Sequence, residues 1–250
     1  MKTTVLVFVI AVCITLTGCN EGDAPAAARL QVEMKASTSL SKIGSSGRSM
    51  ASGLVFNEIL IGVTELEFET LEENQMEEAN DAHDGEDQHG ETDDEEMEFE
   101  GEFVVDLIRG TSTPDFGITE ILPGLYEEME IELGNVLEGG KSVLIAFEIP
   151  RPDAAPLKFE YSYSGELEIE IERDAGFHLD GGSLHQMLVL FDLDLLFGHI
   201  DFSQAVADAD GIIRINSHSN ADIASLIAAN FHTVFDAGED HDGDDHIDED

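Results

Sequence analysis

Apolar and polar residues alternate one by one along much of the chain, which is the period of β-strands that bury one face. In residues 29–36, for example, Leu30, Val32, Met34 and Ala36 alternate with charged or polar neighbours. The same alternation returns in residues 54–69, 97–107, 128–133, 143–149, 157–163, 166–172 and 184–192. About nine short strands separated by turn residues predict a mainly β protein, an antiparallel β-sandwich, over residues 29–215.

One segment near the C-terminus has the period of a helix instead. Its apolar or packing positions recur at i, i+3, i+4 and i+7, and they are Ile223, Leu226, Ile227, Asn230, Phe231 and Val234. Such spacing lays an apolar stripe along one side of a helix. Ser219 or Asn220 is expected to cap its start. The pattern therefore predicts one amphipathic helix within residues 216–235, which packs against the sandwich and carries no chemistry.

The N-terminus is typical of an export signal. Lys2 precedes an apolar run at residues 5–14, which is shorter than the roughly 20 residues that a membrane-spanning helix needs. The run ends in Leu16-Thr17-Gly18-Cys19, which resembles the bacterial lipobox. That resemblance implies a signal peptide over residues 1–18 and a mature protein that begins at an acylated Cys19.

Acylation of Cys19 implies attachment to a membrane through lipid. Asn20, which follows the cysteine, implies sorting to the outer membrane, in a periplasmic or a surface-facing position. Residues 19–28 are small and polar and are predicted to form a tether. Because Cys13 leaves with the signal peptide, no disulfide is expected in the mature fold.

The chain is strongly acidic, with 55 Asp and Glu against 11 Lys and Arg and a formal net charge of −44. A surface of this sign repels polyanions, so nucleic acids and anionic lipid surfaces are not expected partners. The acidic residues are densest in residues 72–96 and in residues 236–250, which contain no Lys or Arg. The first segment is predicted to be an exposed, largely disordered insertion in the sandwich, and the second is predicted to be an acidic tail.

The acidic tail contains a spacing that suits calcium, a cation that takes six to eight oxygen ligands. Asp240, Asp242, Asp244 and Asp248 stand at relative positions 1, 3, 5 and 9, and they resemble the Asp-x-Asp-Gly-Asp repeats of extracellular calcium linkers. The spacing departs from an EF-hand, since Gly243 falls at position 4 instead of 6 and position 12 would be residue 251. A weak calcium site and a disordered tail that holds ions diffusely both stay open.

Two further features bear on metal binding. The histidines of the acidic segments, which are His83, His89, His241 and His246, provide with their acidic neighbours an alternative site for a transition metal. In addition, Glu166, Glu168, Glu170 and Glu172 lie on one face of a predicted strand, about 7 Å apart. Such a row repels itself unless cations or high salt screen it, so it indicates either divalent-cation binding or a saline habitat.

A weaker resemblance concerns the whole sandwich. The motifs that carry it are Phe103-Val104-Val105-Asp106-Leu107, Leu122-Pro123-Gly124-Leu125-Tyr126, Phe191-Asp192 and Ile200-Asp201-Phe202. Across about residues 50–235 they resemble uncharacterised Gram-negative lipoproteins with a prealbumin-like or immunoglobulin-like sandwich. This resemblance implies a fold and no catalytic residues.

No catalytic signature appears in the sequence. It contains no Gly-x-Ser-x-Gly elbow and no His-Glu-x-x-His motif, and it lacks Trp for stacking against sugars. We therefore predict a non-enzymatic, lipid-anchored cell-envelope protein that binds calcium weakly through its acidic segments. The alternatives are a periplasmic protein that handles transition metals, and a ligand-binding or adhesive sandwich whose acidity reflects a saline habitat.

Overall fold

The computed structural model describes residues 26–38, 48–49, 53–70 and 97–248. The strands are β1 (Ala28–Ser37), β2 (Arg48–Ser49), β3 (Val55–Thr70), β4 (Met97–Glu98), β5 (Phe103–Asp106), β6 (Thr111–Thr113), β7 (Ile118–Ile121), β8 (Gly124–Leu133), β9 (Val143–Arg151), β10 (Ala154–Tyr163), β11 (Leu167–Leu179), β12 (Leu184–Asp192), β13 (Ile212–Ile215) and β14 (Phe235–Glu239). The helices are α1 (Leu193–Phe197) and α2 (Ala221–Ala228), with a 3-10 turn at Phe231–Thr233.

The strands form two sheets that share one apolar core. The smaller sheet has the order β14-β12-β1-β7, and the larger sheet has the order β11-β8-β3-β9-β10-β13. Strands β2, β4 and β5 also pair with β3, and β6 pairs with β5. The prediction of a mainly β, sandwich-like protein is confirmed.

Two of the strand pairs are parallel, which the expectation of an antiparallel sandwich did not include. Strand β1 runs parallel to β12, and β10 runs parallel to β13. Parallel neighbours require a long crossover connection: the chain forms β2 to β11 between β1 and β12, and β11, β12 and α1 between β10 and β13. The alternation of apolar and polar residues shows which face of a strand is buried, but it does not show which other strand is its neighbour in the sheet.

Strand β1 confirms the alternation from which it was predicted, because its residues at positions 30, 32, 34 and 36 are all buried. Strand β3 is a single strand of 16 residues, whose first half pairs with β9 and whose second half pairs with β8. Gly62 lies where these partners meet. A Cβ atom there would be 2.8 Å from the Gly134 carbonyl oxygen and from the Val136 Cβ, so only glycine allows this close approach.

The predicted helix over residues 216–235 is wrong in its length. Helix α2 ends at Ala228. Phe231 is buried, but it lies in the 3-10 turn that follows and not in the helix. Leu226, predicted on the apolar stripe, is 58% exposed. Asn220 precedes the helix in a left-handed conformation without a side-chain cap, because its amide side chain is held by backbone groups of Val206 and Arg214. The helix stops early because the chain must turn back to pair with β12.

The acidic tail begins later than predicted. Residues 235–239 form β14, which pairs with β12 at the edge of the smaller sheet. Ala237 is fully buried in the core and Gly238 is also buried. The sequence interpretation missed this strand because the segment is rich in acidic residues, although Phe235 and Ala237 alternate with Asp236 and Gly238.

Several predictions lie outside the described residues. They concern the signal peptide at residues 1–18, the acylation of Cys19, and the insertion at residues 72–96 with its His83 and His89. Helix α1 had no counterpart in the sequence interpretation. Within the part of the chain that is described, no helix combines the length and the apolar character needed to cross a bilayer.

Candidate cation sites

Three neighbouring strands of the larger sheet place glutamates on one face, in register. We name this surface the glutamate face, and it consists of Glu65, Glu67 and Glu69 on β3, Glu128, Glu130 and Glu132 on β8, and Glu168, Glu170 and Glu172 on β11. The alternate residues of β8, which are Met129, Ile131 and Leu133, are buried in the core. The amphipathic pattern of each strand therefore places all nine carboxylates on the side away from the core.

The register brings the glutamates directly opposite one another. Glu130 of β8 is paired with Glu67 of β3 on one side and with Glu170 of β11 on the other. Carboxylate oxygens of Glu67, Glu69 and Glu130 all lie within 4.8 Å of one another. Like charges that are directly opposite destabilise a sheet. This face is therefore a place where bound cations or protons would relieve repulsion.

Burial and the same repulsion raise the pKa values of the glutamates on β8. Partial burial, together with the charges of Glu168, Glu67 and other neighbours, raises the pKa of Glu130 to about 7. Burial and neighbouring glutamates also raise the pKa values of Glu128 and Glu132. Strand β8 is the middle strand of the three, so its carboxylates have negative neighbours on both sides and retain protons most readily.

The second acidic site is the turn that follows β14, which we name the aspartate loop (residues 240–248). Asp240 is only 9% exposed, and its carboxylate accepts backbone hydrogen bonds from Gly243 at 2.7 Å, Asp244 at 3.2 Å and Asp245 at 3.1 Å. Oxygens of Asp240, Asp242 and Asp244 lie within 4.8 Å of one another. The loop thus gathers three hard oxygen ligands around one point.

Asp248, the fourth predicted ligand, is used differently. Its carboxylate accepts a hydrogen bond from the backbone N–H of His241 at 2.7 Å and lies 3.2 Å from the His241 Nδ1 atom. The His241 Nε2 atom lies 2.8 Å from the carboxylate of Glu239. Asp248 therefore closes the loop onto His241 and is not part of the three-aspartate cluster.

Glu239 also joins the loop to a buried histidine that the sequence interpretation did not select. His185 on β12 is 8% exposed, and its Nε2 atom accepts a hydrogen bond from the Asp180 backbone N–H at 2.9 Å. The proton of the neutral ring is then on Nδ1, which donates to Glu239 at 2.7 Å. These contacts hold the start of the aspartate loop against the end of the sandwich.

Two contacts hold the rest of the aspartate loop against the smaller sheet. Ile247 packs over Gly238, where an added Cβ would be 2.3 Å from the Ile247 Cγ2 atom. Lys35 on β1 forms ion pairs with Asp245 of the loop and with Glu33. Burial alone lowers the pKa of Lys35, but the hydrogen bonds to Asp245 and Glu33 outweigh this effect and raise it. The loop is thus attached to the sheet, which favours the defined loop over the disordered tail, the two interpretations that the sequence leaves open.

Replacing Lys35 by glutamine is expected to destabilise the protein. The side chain of Lys35 is 15% exposed, and its loss leaves Asp245 and Glu33 without their shared cation. We expect the free energy of unfolding to fall by about 1 kcal/mol. The free energy of unfolding in urea measures this. The matched control is Lys158→Gln, because Lys158 forms no ion pair within the described part of the chain. Equal losses in the two variants would contradict the role of Lys35.

The predicted ligands therefore have mixed outcomes. Asp240, Asp242 and Asp244 are brought together, and Asp248 is placed at His241. His246 is exposed, and no group of three potential ligands within the described residues includes a histidine. The row on β11 was predicted, but its alignment with the glutamates of β3 and β8 was not. Each row is visible as an alternation, and only the register brings the rows together.

The fold and these sites define a β-sandwich with two clusters of carboxylates. No protein-family model matches the chain, and no curated protein matches it. Among solved structures, MbnP from Methylosinus trichosporium is similar, with 12% sequence identity and a TM-score of 0.37. The match covers 86% of this chain and 98% of that chain. A likeness at this level carries no information about function.

Proposed function

We propose that this protein is a non-enzymatic, lipid-anchored protein of the cell envelope that binds divalent cations, above all calcium. The observation that carries the proposal is the aspartate loop, in which oxygens of Asp240, Asp242 and Asp244 lie within 4.8 Å of one another. Calcium takes oxygen ligands at about 2.3–2.6 Å, so one ion can contact three oxygens that are this close. Calcium takes six to eight oxygen ligands, so water is needed to fill the positions that the three carboxylates leave open.

The packing of the aspartate loop supports a defined site over diffuse attraction. Asp240 is held by three backbone N–H groups, and the loop is attached through Lys35 and Ile247 to the smaller sheet. An ordered loop has already lost most of the conformational freedom that an ion would otherwise have to remove. Three carboxylates and few other ligands match the affinity of extracellular calcium modules, with dissociation constants of about 10⁻⁴–10⁻³ M.

The glutamate face supports a second, less selective mode of binding. Its carboxylates are arranged in three rows of three, and neighbouring strands are about 4.8 Å apart. A divalent cation between two opposite carboxylates replaces their repulsion with two attractions. This face therefore collects cations by charge density, whereas the aspartate loop binds one ion in a fixed position.

Calorimetric titration of calcium chloride into the protein tests the aspartate loop. We expect a binding phase that Asp242→Asn/Asp244→Asn abolishes, because two of the three clustered ligands lose their charge. The matched control is Asp153→Asn/Glu138→Gln, which removes the same charge from two exposed positions outside both acidic clusters. If both double variants reduce the heat of calcium binding by the same amount relative to the wild type, calcium responds to net charge and the loop is not a specific site.

The same titration separates the alternatives. Tight binding of zinc or copper, with no heat released or absorbed when calcium is added, would favour a protein that handles transition metals. Its ligands would be His241 and His246 together with His83 and His89. A melting temperature that calcium leaves unchanged at constant ionic strength would favour a ligand-binding or adhesive sandwich from a saline habitat. Incorporation of labelled palmitate, lost in Cys19→Ser, tests the lipid anchor independently of any cation.

A further inference from the structure

Exposed apolar side chains are concentrated at the end of the sandwich where the chain enters it. Among the described residues, seven large apolar side chains are strongly exposed, and four of them lie on β7, β8, β12 or the turn that joins β7 to β8. They are Ile118 (56% exposed), Leu122 (51%), Leu125 (42%) and Leu184 (40%). We name these four residues the apolar rim.

The register places two residues of the apolar rim, Leu122 and Leu184, beside the first residues of β1. Leu184 is paired with Arg29 on one side of β1, and Ile121, which precedes Leu122, is paired with Ala28 on the other side. Ala26 lies beside the turn that contains Gly181. A Cβ atom added to Gly181 would be 2.5 Å from the carbonyl oxygen of Ala26 and 3.5 Å from the Pro123 Cβ. The chain thus enters the fold between exposed leucines.

The tether that is predicted to precede Ala26 is short. Six residues lie between Cys19 and Ala26, and the seven steps from one to the other span at most about 25 Å even when the chain is fully extended. Strand β3 alone, with 16 residues, is about 50 Å long at 3.3 Å per residue. An acyl group on Cys19 therefore keeps Ala26 within about 25 Å of the bilayer surface, half the length of β3.

We propose that the apolar rim docks on the phospholipid bilayer that holds the acyl chains. This inference rests on the proposed lipid anchoring at Cys19. The net charge of −44 opposes adhesion by general electrostatics, so apolar insertion of exposed leucines provides the contact instead. Arg29 lies beside them and is exposed, and its cross-strand neighbour on β7 is Glu120, so the two charges offset each other at this surface.

Site-specific labelling tests this contact. The acylated protein is reconstituted in phosphatidylcholine vesicles that carry a nitroxide quencher near the headgroups, and a fluorescent maleimide is attached to Leu122→Cys, Leu184→Cys or Val206→Cys. Because Cys13 and Cys19 are the only cysteines of the sequence, and the predicted processing removes one and acylates the other, each variant has one reactive thiol. Val206 is 70% exposed and is held to Asn220, beside β13 at the far edge of the larger sheet.

We expect quenching of the labels at positions 122 and 184 and no quenching at position 206. In a second experiment, Leu122→Gln/Leu184→Gln is expected to reduce quenching of a label on Leu125→Cys while palmitate incorporation is unchanged. Equal quenching at all positions in palmitoylated protein would overturn docking and leave the lipid anchor intact. Absence of palmitate would overturn the anchor and, with it, the docking that rests on it. All substituted positions are exposed, so each variant is expected to melt like the wild type.

Discussion

Replacing Glu130 by glutamine is expected to stabilise the protein at pH 8 in dilute buffer by about 1–2 kcal/mol, after allowance for solvent screening. Glu130 is partly buried and has carboxylates on both sides, and together these raise its pKa from 4.5 to about 7. The folded protein therefore binds more protons at this position than the unfolded chain between pH 4.5 and pH 7. The contribution of Glu130 to stability thus falls as the pH rises through this window. Glutamine removes both the charge and this dependence.

Urea unfolding at pH 5 and pH 8 measures the effect, and the gain should be largest at pH 8. The control is Glu138→Gln, which removes one exposed carboxylate outside the glutamate face and should change little. A loss of stability in Glu130→Gln would mean that the ionised carboxylate has a favourable partner, contrary to the repulsion argued above. High salt should reduce the gain by screening. Millimolar calcium at constant ionic strength should reduce it further if the face collects divalent cations.

The largest expected effect comes from the core. Phe147→Ala is expected to lower the free energy of unfolding by about 3–5 kcal/mol, the range for a large aromatic side chain removed from a packed interior. Phe147 on β9 is 1% exposed. Its ring lies 4.8–5.6 Å from four others, which are Phe56, Phe159, Phe197 and Phe202. Alanine would leave a cavity between the larger sheet, helix α1 and the loop after it.

Chemical denaturation with Phe147→Leu as a companion variant tests this packing. Leucine retains much of the buried apolar volume, so its loss should be clearly smaller than that of alanine. Val206→Ala, at an exposed position, should stay within about 0.5 kcal/mol of the wild type. A loss below about 1 kcal/mol in Phe147→Ala would contradict the central position of this ring.

The face that each strand buries was predictable because alternation is a local property. Strands β1, β8 and β11 bury the residues that the sequence indicates, and β8 directs Glu128, Glu130 and Glu132 away from the core. Strand partners were not predictable in this way, since pairing depends on the packing of the whole chain. The glutamate face therefore appeared in the sequence as separate rows and became one surface only through the register of β3, β8 and β11.

The C-terminal region shows how a local period is overridden. Phe231 and Val234 continue the helical spacing of Ile223 and Ile227, yet both are buried after helix α2 has ended. Pairing of β14 with β12 satisfies the backbone at the edge of the smaller sheet. This tertiary interaction outweighs a few tenths of a kcal/mol per residue of helix propensity.

The aspartate loop was predictable as a cluster but not as a packed element. Three of its four proposed ligands, Asp240, Asp242 and Asp244, come together because they are close in sequence. The contacts of Asp245 with Lys35, and of Glu239 just before the loop with His185, join residues that are far apart along the chain. No local pattern contains such contacts, and they explain why Asp245 and Glu239 are structural partners that the sequence alone did not identify.

The parallel pairing of β1 with β12 constrains how the polypeptide acquires its native state. Arg29 is paired with Leu184, so the smaller sheet joins residues that are separated by more than 150 positions. A ribosome must have synthesised most of the chain before that sheet can form, and contacts of such long range slow folding. Strand β1 therefore lacks one of its two neighbours in the smaller sheet until β12 has been synthesised.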